Sequence, residues 1–400
     1  MQVLIRSSIL AFIFLSSFSS LSLASDIHTL PQPTMIIPAP PQLAAKSYIL
    51  IDYLSDYVIA EQEIDQRVEP ASLTKMMTIY VVDHAMKKGK LKLTDSVHIS
   101  EKAWRTQGTR MFVEVNTTVP VTDLLDGIII SSGNDASVAI AEHIAGSEAA
   151  FAELMNFYAK NLGMINTHFV NATGMPDTNH YTTARDMAIL AKALIREFPE
   201  SYKRYSQKEF MYKNIKQENR NRLLWRNELV DGIKTGHTDS AGYCLVASGK
   251  KENMRLIAVI MGTKNDAIRT DETNKLLTYG FRFYETRKLY PAQTALKTAR
   301  IWMGNQNEVN LGLTNDLYVT IGQGQYDNLK AAINVEKIIK APATEGTALG
   351  TIAVQLNNKT IAERPIVALN EIQAGGFLSR VYDTLALNIH TLLDKVIPSQ

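Results

Sequence analysis

The chain has 400 residues, of which 46% are hydrophobic and 20% are charged. This composition is that of a globular protein with two or three domains, and it excludes an intrinsically disordered chain. The formal net charge is only +2, so charge gives no reason to expect nucleic acid as a partner.

The N-terminus has the pattern of an export signal. One arginine lies within the first eight residues, Ile9 to Leu15 is an uninterrupted apolar run, and Ser22-Leu23-Ala24 sets small residues on either side of a large one. We predict a signal peptide over residues 1–24. A membrane-spanning anchor is the alternative, but the apolar run has seven residues and a span needs about 20.

A β-hairpin followed by a helix is predicted next. Two β-rich runs, at 48–51 and 57–60, flank a short polar turn. Pro70 stands where a helix can begin and Gly89 where one can end, so we predict a helix over 73–88. Further helices are predicted at 121–130, 135–144, 148–162 and 184–198.

Strand patterns return in the runs 230–238, 242–247 and 255–261. The segment Ser248 to Asn253 predicts a polar turn that makes the last two strands antiparallel neighbours. Helices lying between hairpins favour an antiparallel sheet covered by helices over a βαβ nucleotide-binding fold. The single cysteine, Cys244, can form no disulfide within the chain, and its apolar neighbours predict a buried thiol.

Two further parts follow the strands. Residues 289–372 show short alternating runs separated by Gly and Asn turns, which predict a small all-β domain with a spacing or presenting role. Residues 376–396 predict an amphipathic helix. Two interpretations of this helix stay open, contact with a membrane surface or packing on its own protein, because its two cations are balanced by two anions.

Ser72 and Lys75 lie three residues apart at the start of the first predicted helix, which places hydroxyl and amine on one face. A lysine whose pKa is lowered can take the proton of a serine nucleophile, and free N–H groups at a helix start can stabilise an oxyanion. The spacing alone is a weak signal, since Ser248 and Lys251 repeat it in the predicted turn. A helix start with a solvated lysine is the commoner meaning of such a pair.

Two further motifs strengthen this interpretation. Ser131-Ser132-Gly133-Asn134-Asp135 is a polar turn between apolar helical segments, which by itself fits a helix cap. Lys234-Thr235-Gly236 lies within a strand pattern, which by itself fits an exposed edge strand. Ser-x-x-Lys with Ser-Asp-Asn and Lys-Thr-Gly is the motif set of class A β-lactamases and penicillin-binding proteins. All three motifs occur here in that order and context, which predicts a serine acyl-transferase.

In detail the chain resembles the low-molecular-mass penicillin-binding proteins that act as D-Ala-D-Ala carboxypeptidases. Its middle motif, Ser-Gly-Asn, matches these carboxypeptidases better than class A β-lactamases. The resemblance implies an α+β fold, in which a catalytic domain over 25–288 has an antiparallel sheet flanked by helices. It runs through 49–52, 70–78, 130–136, Gly174-Met175-Pro176-Asp177 with His180, 227–241 and 280–286.

The resemblance also implies the reaction, which is removal of the terminal D-Ala from peptidoglycan stem peptides. Ser72 would attack the carbonyl while Lys75 accepts its proton, Ser132 would pass a proton to the leaving amine, and Lys234 would keep Lys75 neutral. The implied binding positions are Asn134 for the substrate amide, Thr235 with Gly236 and Arg269 for the terminal carboxylate, and the backbone N–H groups of Ser72 and His237 for the oxyanion.

Three alternatives remain in view. A β-lactamase would need a Glu-x-x-Leu-Asn segment to activate water, and the nearest sequence, Glu153 to Asn156, has the wrong spacing. A DD-endopeptidase of the same fold is not separated by the motifs, although a carboxylate pocket at Thr235 and Arg269 favours the carboxypeptidase. A non-catalytic wall-binding factor would not need the catalytic side chains that are present.

Cofactor, inhibitors and location complete the expectations. We expect no metal or other cofactor, because the eight histidines show no His-Glu-x-x-His pairing. The resemblance implies that β-lactam antibiotics inhibit the protein. We expect an exported, periplasmic protein attached to the outer face of the inner membrane by residues 376–396.

Overall fold

The computed structural model describes residues 36–396, with side chains up to residue 389. The predicted signal peptide over 1–24 lies outside the described residues.

The strands are β1 (Ser47–Asp52), β2 (Val58–Gln62), β3 (Ser96–His98), β4 (Thr118–Pro120), β5 (Glu209–Tyr212), β6 (Ile215–Glu218), β7 (Val230–Thr238), β8 (Gly242–Lys251), β9 (Met254–Thr263), β10 (Tyr284–Tyr290), β11 (Lys297–Trp302), β12 (Glu308–Gly312), β13 (Leu317–Gly322), β14 (Leu329–Val335), β15 (Ile339–Lys340), β16 (Ala348–Leu356) and β17 (Lys359–Ala368). The helices are α1 (Thr74–Lys87), α2 (Glu101–Arg105), α3 (Val121–Asp126), α4 (Asn134–Ala145), α5 (Glu148–Leu162), α6 (Ala184–Glu197), α7 (Pro199–Tyr202), α8 (Leu223–Arg226), α9 (Asp266–Phe283) and α10 (Phe377–Val396).

The N-terminal part is built on a five-stranded sheet in the order β2-β1-β9-β8-β7. Every neighbouring pair in it is antiparallel, which confirms the predicted α+β class. β1 and β2 form the predicted hairpin. The sequence pattern therefore identified the sheet, and the structure adds that β7 is an edge strand.

The predicted turn between β8 and β9 was wrong in its extent. Lys251 pairs with Met254, so the turn consists of Glu252 and Asn253, and Glu252 adopts the positive φ of 52° that suits a two-residue hairpin turn. Ser248 consequently lies inside β8, where it is fully buried and accepts a hydrogen bond of 2.6 Å from Arg255 Nη1. Ser248 and Lys251 thus share no helix face.

Helices cover both faces of the sheet. Along β9, Leu256, Ala258 and Ile260 lie in the core with α9, whereas Ile257 and Val259 lie in the core of the opposite side, where α6 contacts β9. This period of two is what a strand buried on both faces requires. Burial on both faces also explains why the sequence of β9 is an almost continuous apolar run.

Two predicted helices have modified ends. A 3-10 turn at Ala71–Leu73 precedes α1, and Ser72 lies in that turn. The predicted helix at 121–130 divides into α3 and a π-helical turn at Gly127–Ser131. Ser132 follows in the left-handed conformation, with φ 64° and ψ 37°, and α4 starts two residues later.

The C-terminal part is the predicted β-rich domain followed by a helix. Its six-stranded sheet has the order β14-β16-β17-β12-β11-β15, and β10 pairs with β13. Because β10 spans 284–290, it crosses the predicted boundary at residue 288. α10 is held to this domain by Asp383, which accepts hydrogen bonds from Arg300 Nη2 and the Met303 N–H.

A buried carboxylate joins the two parts. Asp52, at the end of β1, accepts hydrogen bonds from the N–H groups of Leu54 and Ser55 and, at 2.7 Å, from Thr286 Oγ1 on β10. Hydroxyls of Thr286 and Ser55 also lie within hydrogen-bond distance of Thr320 Oγ1 on β13. Asp52, Thr286 and Thr320 are buried, so the hydrogen bond between Asp52 and Thr286 is not readily replaced by water when it is broken.

We predict that Thr286→Val weakens this junction. The substitution keeps the shape but leaves one oxygen of Asp52 without its donor, which costs about 2 kcal/mol for a hydrogen bond to a charged group. Urea unfolding followed by circular dichroism measures the change. Thr298→Val is the matched control, because the Thr298 side chain is exposed and its hydroxyl donates to the exposed side chain of Asn310, and it is expected to cost less than about 0.5 kcal/mol. Equal stability of the two variants would contradict the prediction.

Candidate active site

Ser72 and Lys75 are in contact, as their spacing predicts. Lys75 Nζ donates a hydrogen bond of 2.9 Å to Ser72 Oγ. The same amine donates to Asn134 Oδ1 at 2.7 Å and to the carbonyl of Thr173 at 2.6 Å. Lys75 is completely buried, so these three acceptors are its whole hydrogen-bonding environment among the described residues.

Ser132 and Lys234 form a second pair. Lys234 Nζ donates to Ser132 Oγ at 3.0 Å and to the carbonyl of Thr235 at 2.9 Å. Although β7 is an edge strand, Lys234 is buried, which excludes the solvent-exposed edge lysine that the motif alone allowed. The left-handed turn at Ser132 places its hydroxyl toward β7.

Glycines allow the close approach of strand, turn and loop. A Cβ on Gly236 would lie 2.9 Å from the Pro70 carbonyl oxygen, next to the 3-10 turn that carries Ser72. A Cβ on Gly174, whose φ is +85°, would lie 1.8 Å from the Ala71 carbonyl oxygen. Any larger side chain at either position would displace the turn that holds the nucleophile.

Asp135 fixes the loop on the other side of the site. Its buried carboxylate accepts hydrogen bonds from the N–H groups of Met111, Phe112, Val113 and Ala136. Phe112 adopts a positive φ of 73° in this arrangement. The carboxylate therefore sets the loop conformation next to Asn134, a role that the motif did not reveal.

The binding residues implied by the resemblance fall into two groups. A cavity of about 700 Å³ is lined by six of the predicted positions, which are Ser72, Ser132, Thr235, Gly236, His237 and Arg269. Asn134 lies behind this surface, where its Oδ1 accepts from Lys75 and its Nδ2 donates to the Gln107 carbonyl at 2.6 Å. In this structure Asn134 thus positions Lys75, and its predicted contact with a substrate amide stays a prediction.

Arg269 is held at one end of the cavity. Its Nη1 donates to the Gly236 carbonyl at 3.0 Å, and its Nη2 forms an ion pair with Asp266 at 2.6 Å. The guanidinium is therefore fixed beside β7, close to Thr235. Its predicted contact with a terminal carboxylate stays a prediction.

The pKa of Lys75 is low for two reasons. Burial is the larger cause and the guanidinium of Arg220 the second, and together they lower the pKa of Lys75 to about 7 against the opposing effect of Asp135. The family resemblance implied Lys234 for this effect. Burial and the neighbouring Lys75 lower the pKa of Lys234 itself well below its usual value, so a proton on one lysine disfavours a proton on the other.

Arg220 and His180 contact the segments that carry Ser132 and Ser72, which motif spacing alone could not reveal. Arg220 lies in the polar loop between β6 and α8, where its Nε donates to the Ser131 carbonyl at 3.0 Å. His180 Nδ1 accepts from the Val170 N–H, so its Nε2 carries the hydrogen that is donated to Thr74 Oγ1. Burial lowers the pKa of His180 to about 4, which keeps the ring neutral beside α1.

Other reactive groups lie outside this arrangement. Cys244 is buried in β8, as predicted, and burial raises the pKa of its thiol to about 11. Within residues 36–396, no group of three or more His, Cys, Asp or Glu side chains is placed to hold a metal ion.

Comparison with known proteins agrees with this geometry. Residues 34–265 match the family model described as D-alanyl-D-alanine carboxypeptidase, and residues 284–374 match the model described as the C-terminal domain of penicillin-binding protein 5. The chain is 47% identical over 358 residues to D-alanyl-D-alanine carboxypeptidase DacC of Escherichia coli, with 88% of this chain and 90% of that protein covered.

Solved structures give the same result. The chain is similar to penicillin-binding protein 5 from Haemophilus influenzae, with a TM-score of 0.82, 44% identity, and coverage of 84% of this chain and 99% of that one. It is also similar to penicillin-binding protein D2 from Listeria monocytogenes in the ampicillin-bound form, with a TM-score of 0.56 and 29% identity. That match covers 60% of this chain and 100% of the other.

We predict that one buried lysine titrates close to neutral pH. Lys75 is expected to be mostly charged at pH 6 and mostly neutral at pH 8, because its pKa is about 7. NMR of protein labelled with ¹³C at the lysine side chains measures the titration, and Lys75→Arg should remove the signal. Lys213→Arg is the control, since Lys213 is exposed and its pKa is raised by Glu114. A spectrum in which every lysine titrates above pH 9 would contradict the assignment.

Proposed function

The chain belongs to the D-alanyl-D-alanine carboxypeptidase family, and we propose that it removes the terminal D-Ala from peptidoglycan stem peptides through an acyl-enzyme on Ser72. It is a serine-type hydrolase of the penicillin-binding class. The observation that carries the proposal is the 2.9 Å hydrogen bond from fully buried Lys75 to Ser72, at the wall of a cavity that Ser132, Thr235 and Arg269 also line.

Acylation begins with proton transfer from Ser72 to Lys75. Because the pKa of Lys75 is about 7, a large fraction of its amine is neutral at physiological pH and can accept this proton. The Ser72 oxygen then bonds to the carbonyl carbon, and the oxyanion lies against the backbone N–H groups of Ser72 and His237. Ser132, which contacts Lys234, passes a proton to the amine as the C–N bond breaks, and the proton that Lys75 took from Ser72 replaces it, so that Lys75 is neutral again.

Deacylation returns the enzyme to its starting state. Water attacks the ester with Lys75 as base, and Lys75 returns that proton to the Ser72 oxygen as the ester bond breaks. The net reaction is peptide plus water giving the shortened peptide plus D-Ala. Thr235 and Arg269 hold the terminal carboxylate before it leaves, and the ion pair of buried Arg269 with half-buried Asp266 keeps the guanidinium in place.

The same chemistry supports binding of β-lactam antibiotics. A β-lactam carbonyl would acylate Ser72 as the peptide does, and the related Listeria protein has been crystallised in its ampicillin-bound form. Fast release would need a carboxylate that activates water. Glu153 is exposed on α5 and does not line the cavity, which favours a penicillin-binding peptidase over a β-lactamase.

The structure of α10 supports attachment to a membrane surface. Asp383 and Leu387 face the β domain and are buried, whereas Phe377 and Leu378 are 72% and 81% exposed and Tyr382, Leu385 and Ile389 share their exposed apolar face. One helix thus packs on its protein and presents an apolar stripe. None of the helices described between residues 36 and 396 is long and apolar enough to cross a membrane. We propose that exported protein lies at the periplasmic face of the inner membrane through this stripe.

We predict that Ser72→Ala abolishes both D-Ala release and penicillin labelling. A pentapeptide assay by liquid chromatography and mass spectrometry of the intact protein after penicillin test the two losses together. The loss of D-Ala release should exceed about 10³-fold, because no other group supplies the nucleophile. Ser248→Ala is the matched control, since that serine has the same Ser-x-x-Lys spacing but is buried in β8. Labelling of the Ser72→Ala protein would contradict the proposed nucleophile.

Loss of the exposed stripe is expected to release the protein from membranes. Leu378→Asp combined with Leu385→Asp places charge on the apolar face and leaves the Asp383 contacts intact. Sedimentation with vesicles of anionic and zwitterionic lipid measures binding, and a chain lacking residues 376–400 gives the unbound reference. Lys330→Asp on the exposed strand β14 is the control for added negative charge. Equal partitioning of all forms would favour a helix that only packs on its own protein.

A further inference from the structure

A second cavity lies where the N-terminal part meets the β domain. This junction cleft has a volume of about 740 Å³ and is lined chiefly by residues 250–255 of the β8–β9 hairpin and 284–288 of β10. Among the described residues, it shares no lining residue with the cavity that contains Ser72. Lys250 follows Val246, the strand partner of Lys234, by four residues, which corresponds to roughly 13 Å along β8. The junction cleft is therefore separate from the proposed active site.

Cationic side chains outnumber acidic ones in the junction cleft. Two carboxylates line it, those of Glu252 and Glu285. An excess of cations in a cleft attracts acidic polymers and concentrates them there. The five cationic side chains are Lys250, Lys251, Arg255, Arg287 and Lys288.

Acidic side chains already pair with three of these cations. Lys250 and Lys251 are exposed at the end of β8 and form no ion pair among the described residues, and Glu252 is the one lining carboxylate outside an ion pair. Each free ammonium group has donors for a carboxylate of a ligand. The existing pairs are Arg255 with Asp231, Arg287 with Glu285, and Lys288 with Asp316.

Three tyrosines give the junction cleft flat apolar surfaces beside these cations. Tyr53, Tyr284 and Tyr318 line it, and each is half-buried. Lys288 Nζ lies 5.6 Å from the centre of the Tyr318 ring. A tyrosine offers an apolar ring face together with a polar hydroxyl, and a sugar ring has the complementary C–H face and hydroxyl groups. Cations next to tyrosines thus suit a ligand that combines sugar rings with carboxylates.

We propose that the junction cleft binds a stretch of peptidoglycan that is not being cleaved, with sugar rings against the tyrosines and stem-peptide carboxylates at Lys250 and Lys251. This inference rests on the proposed function, which makes this acidic glycopeptide the substrate. Stem peptides repeat along the polymer, so one part of it can occupy the junction cleft while another peptide reaches Ser72. The second contact keeps the enzyme on the polymer between cleavage events.

An anionic lipid headgroup is a different ligand with suitable charge. The exposed stripe of α10, which we propose as the membrane contact, belongs to the helix that Asp383 holds to Met303. The junction cleft includes Thr286, which bonds to Asp52 at the opposite end of the β domain. A lipid headgroup also has no sugar ring for the three tyrosines in the simplest phospholipids. Position and lining therefore favour the glycopeptide.

Cosedimentation with purified peptidoglycan tests the proposal, with Ser72→Ala protein as the parent so that the polymer stays intact. Lys250→Glu combined with Lys251→Glu should weaken binding about tenfold, because two attractive contacts become repulsive. Tyr318→Leu should weaken binding about threefold, because leucine is apolar but has no flat ring. Added salt should weaken binding of the parent more than binding of the double variant.

Lys90→Glu combined with Lys92→Glu is the matched control. These two lysines are exposed, form no ion pair among the described residues and lie outside the junction cleft, so the control adds the same charge and should bind as the parent does. With Ser72 intact, the variant at Lys250 and Lys251 should keep the wild-type kcat/KM for a soluble pentapeptide and release D-Ala more slowly from intact peptidoglycan. Thermal unfolding checks that each variant is folded.

Three outcomes would overturn the proposal. The first is binding of the variant at Lys250 and Lys251 within twofold of the parent, and the second is an equal loss in the control. The third is a loss on phosphatidylglycerol vesicles as large as the loss on peptidoglycan, which would assign the junction cleft to anionic lipid. Failure of wild-type protein to release D-Ala from the pentapeptide would instead contradict the proposed carboxypeptidase function, since the binding assay requires no cleavage.

Discussion

The buried amine of Lys75 is the group on which the rest of the site depends. An ammonium ion is expensive to bury, so the protein supplies three oxygen acceptors and places Arg220 near enough to favour the neutral form. A lysine that is neutral near pH 7 is a base, and the nearest group with a transferable proton is the Ser72 hydroxyl. Burial of the Lys75 amine is therefore both the free-energy cost and the reason why the amine can act as a base.

The elements around this amine are fixed by contacts that tolerate little change. Gly236 lets β7 approach the turn that carries Ser72, and Gly174 lets the loop that supplies the Thr173 carbonyl do the same. The Asp135 carboxylate accepts hydrogen bonds from four backbone N–H groups and so fixes the loop beside Asn134. Preorganisation of this kind positions catalytic groups before the substrate arrives.

The sequence predicted the sheet, the main helices and the groups at Ser72, Lys75, Ser132 and Lys234, because each lies within a short motif whose local structure the hydrophobic pattern also indicates. Arg220 could not be found in this way, since it comes from a polar loop and reaches the site only through the fold. The turn before β9 was predicted too long because Lys250 and Lys251, at the end of β8, are polar residues of the kind that is common in turns. Asn134 shows the same limit, since its neighbours along the chain do not reveal that its amide is already bonded to Lys75 and Gln107.

The buried carboxylates at the two ends of the β domain have a consequence for how the enzyme meets the cell wall. Asp52, on the sheet next to the nucleophile, accepts a hydrogen bond from Thr286 at one end of the β domain. Asp383, on α10, accepts one from the Met303 N–H at the other end. A β domain fixed at both ends sets the orientation of the catalytic part relative to α10 as well as the distance between them. If α10 rests flat on a surface, the mouth of the cavity is held at one tilt above it, so the enzyme would select among peptides by their direction of approach as well as by their chemistry.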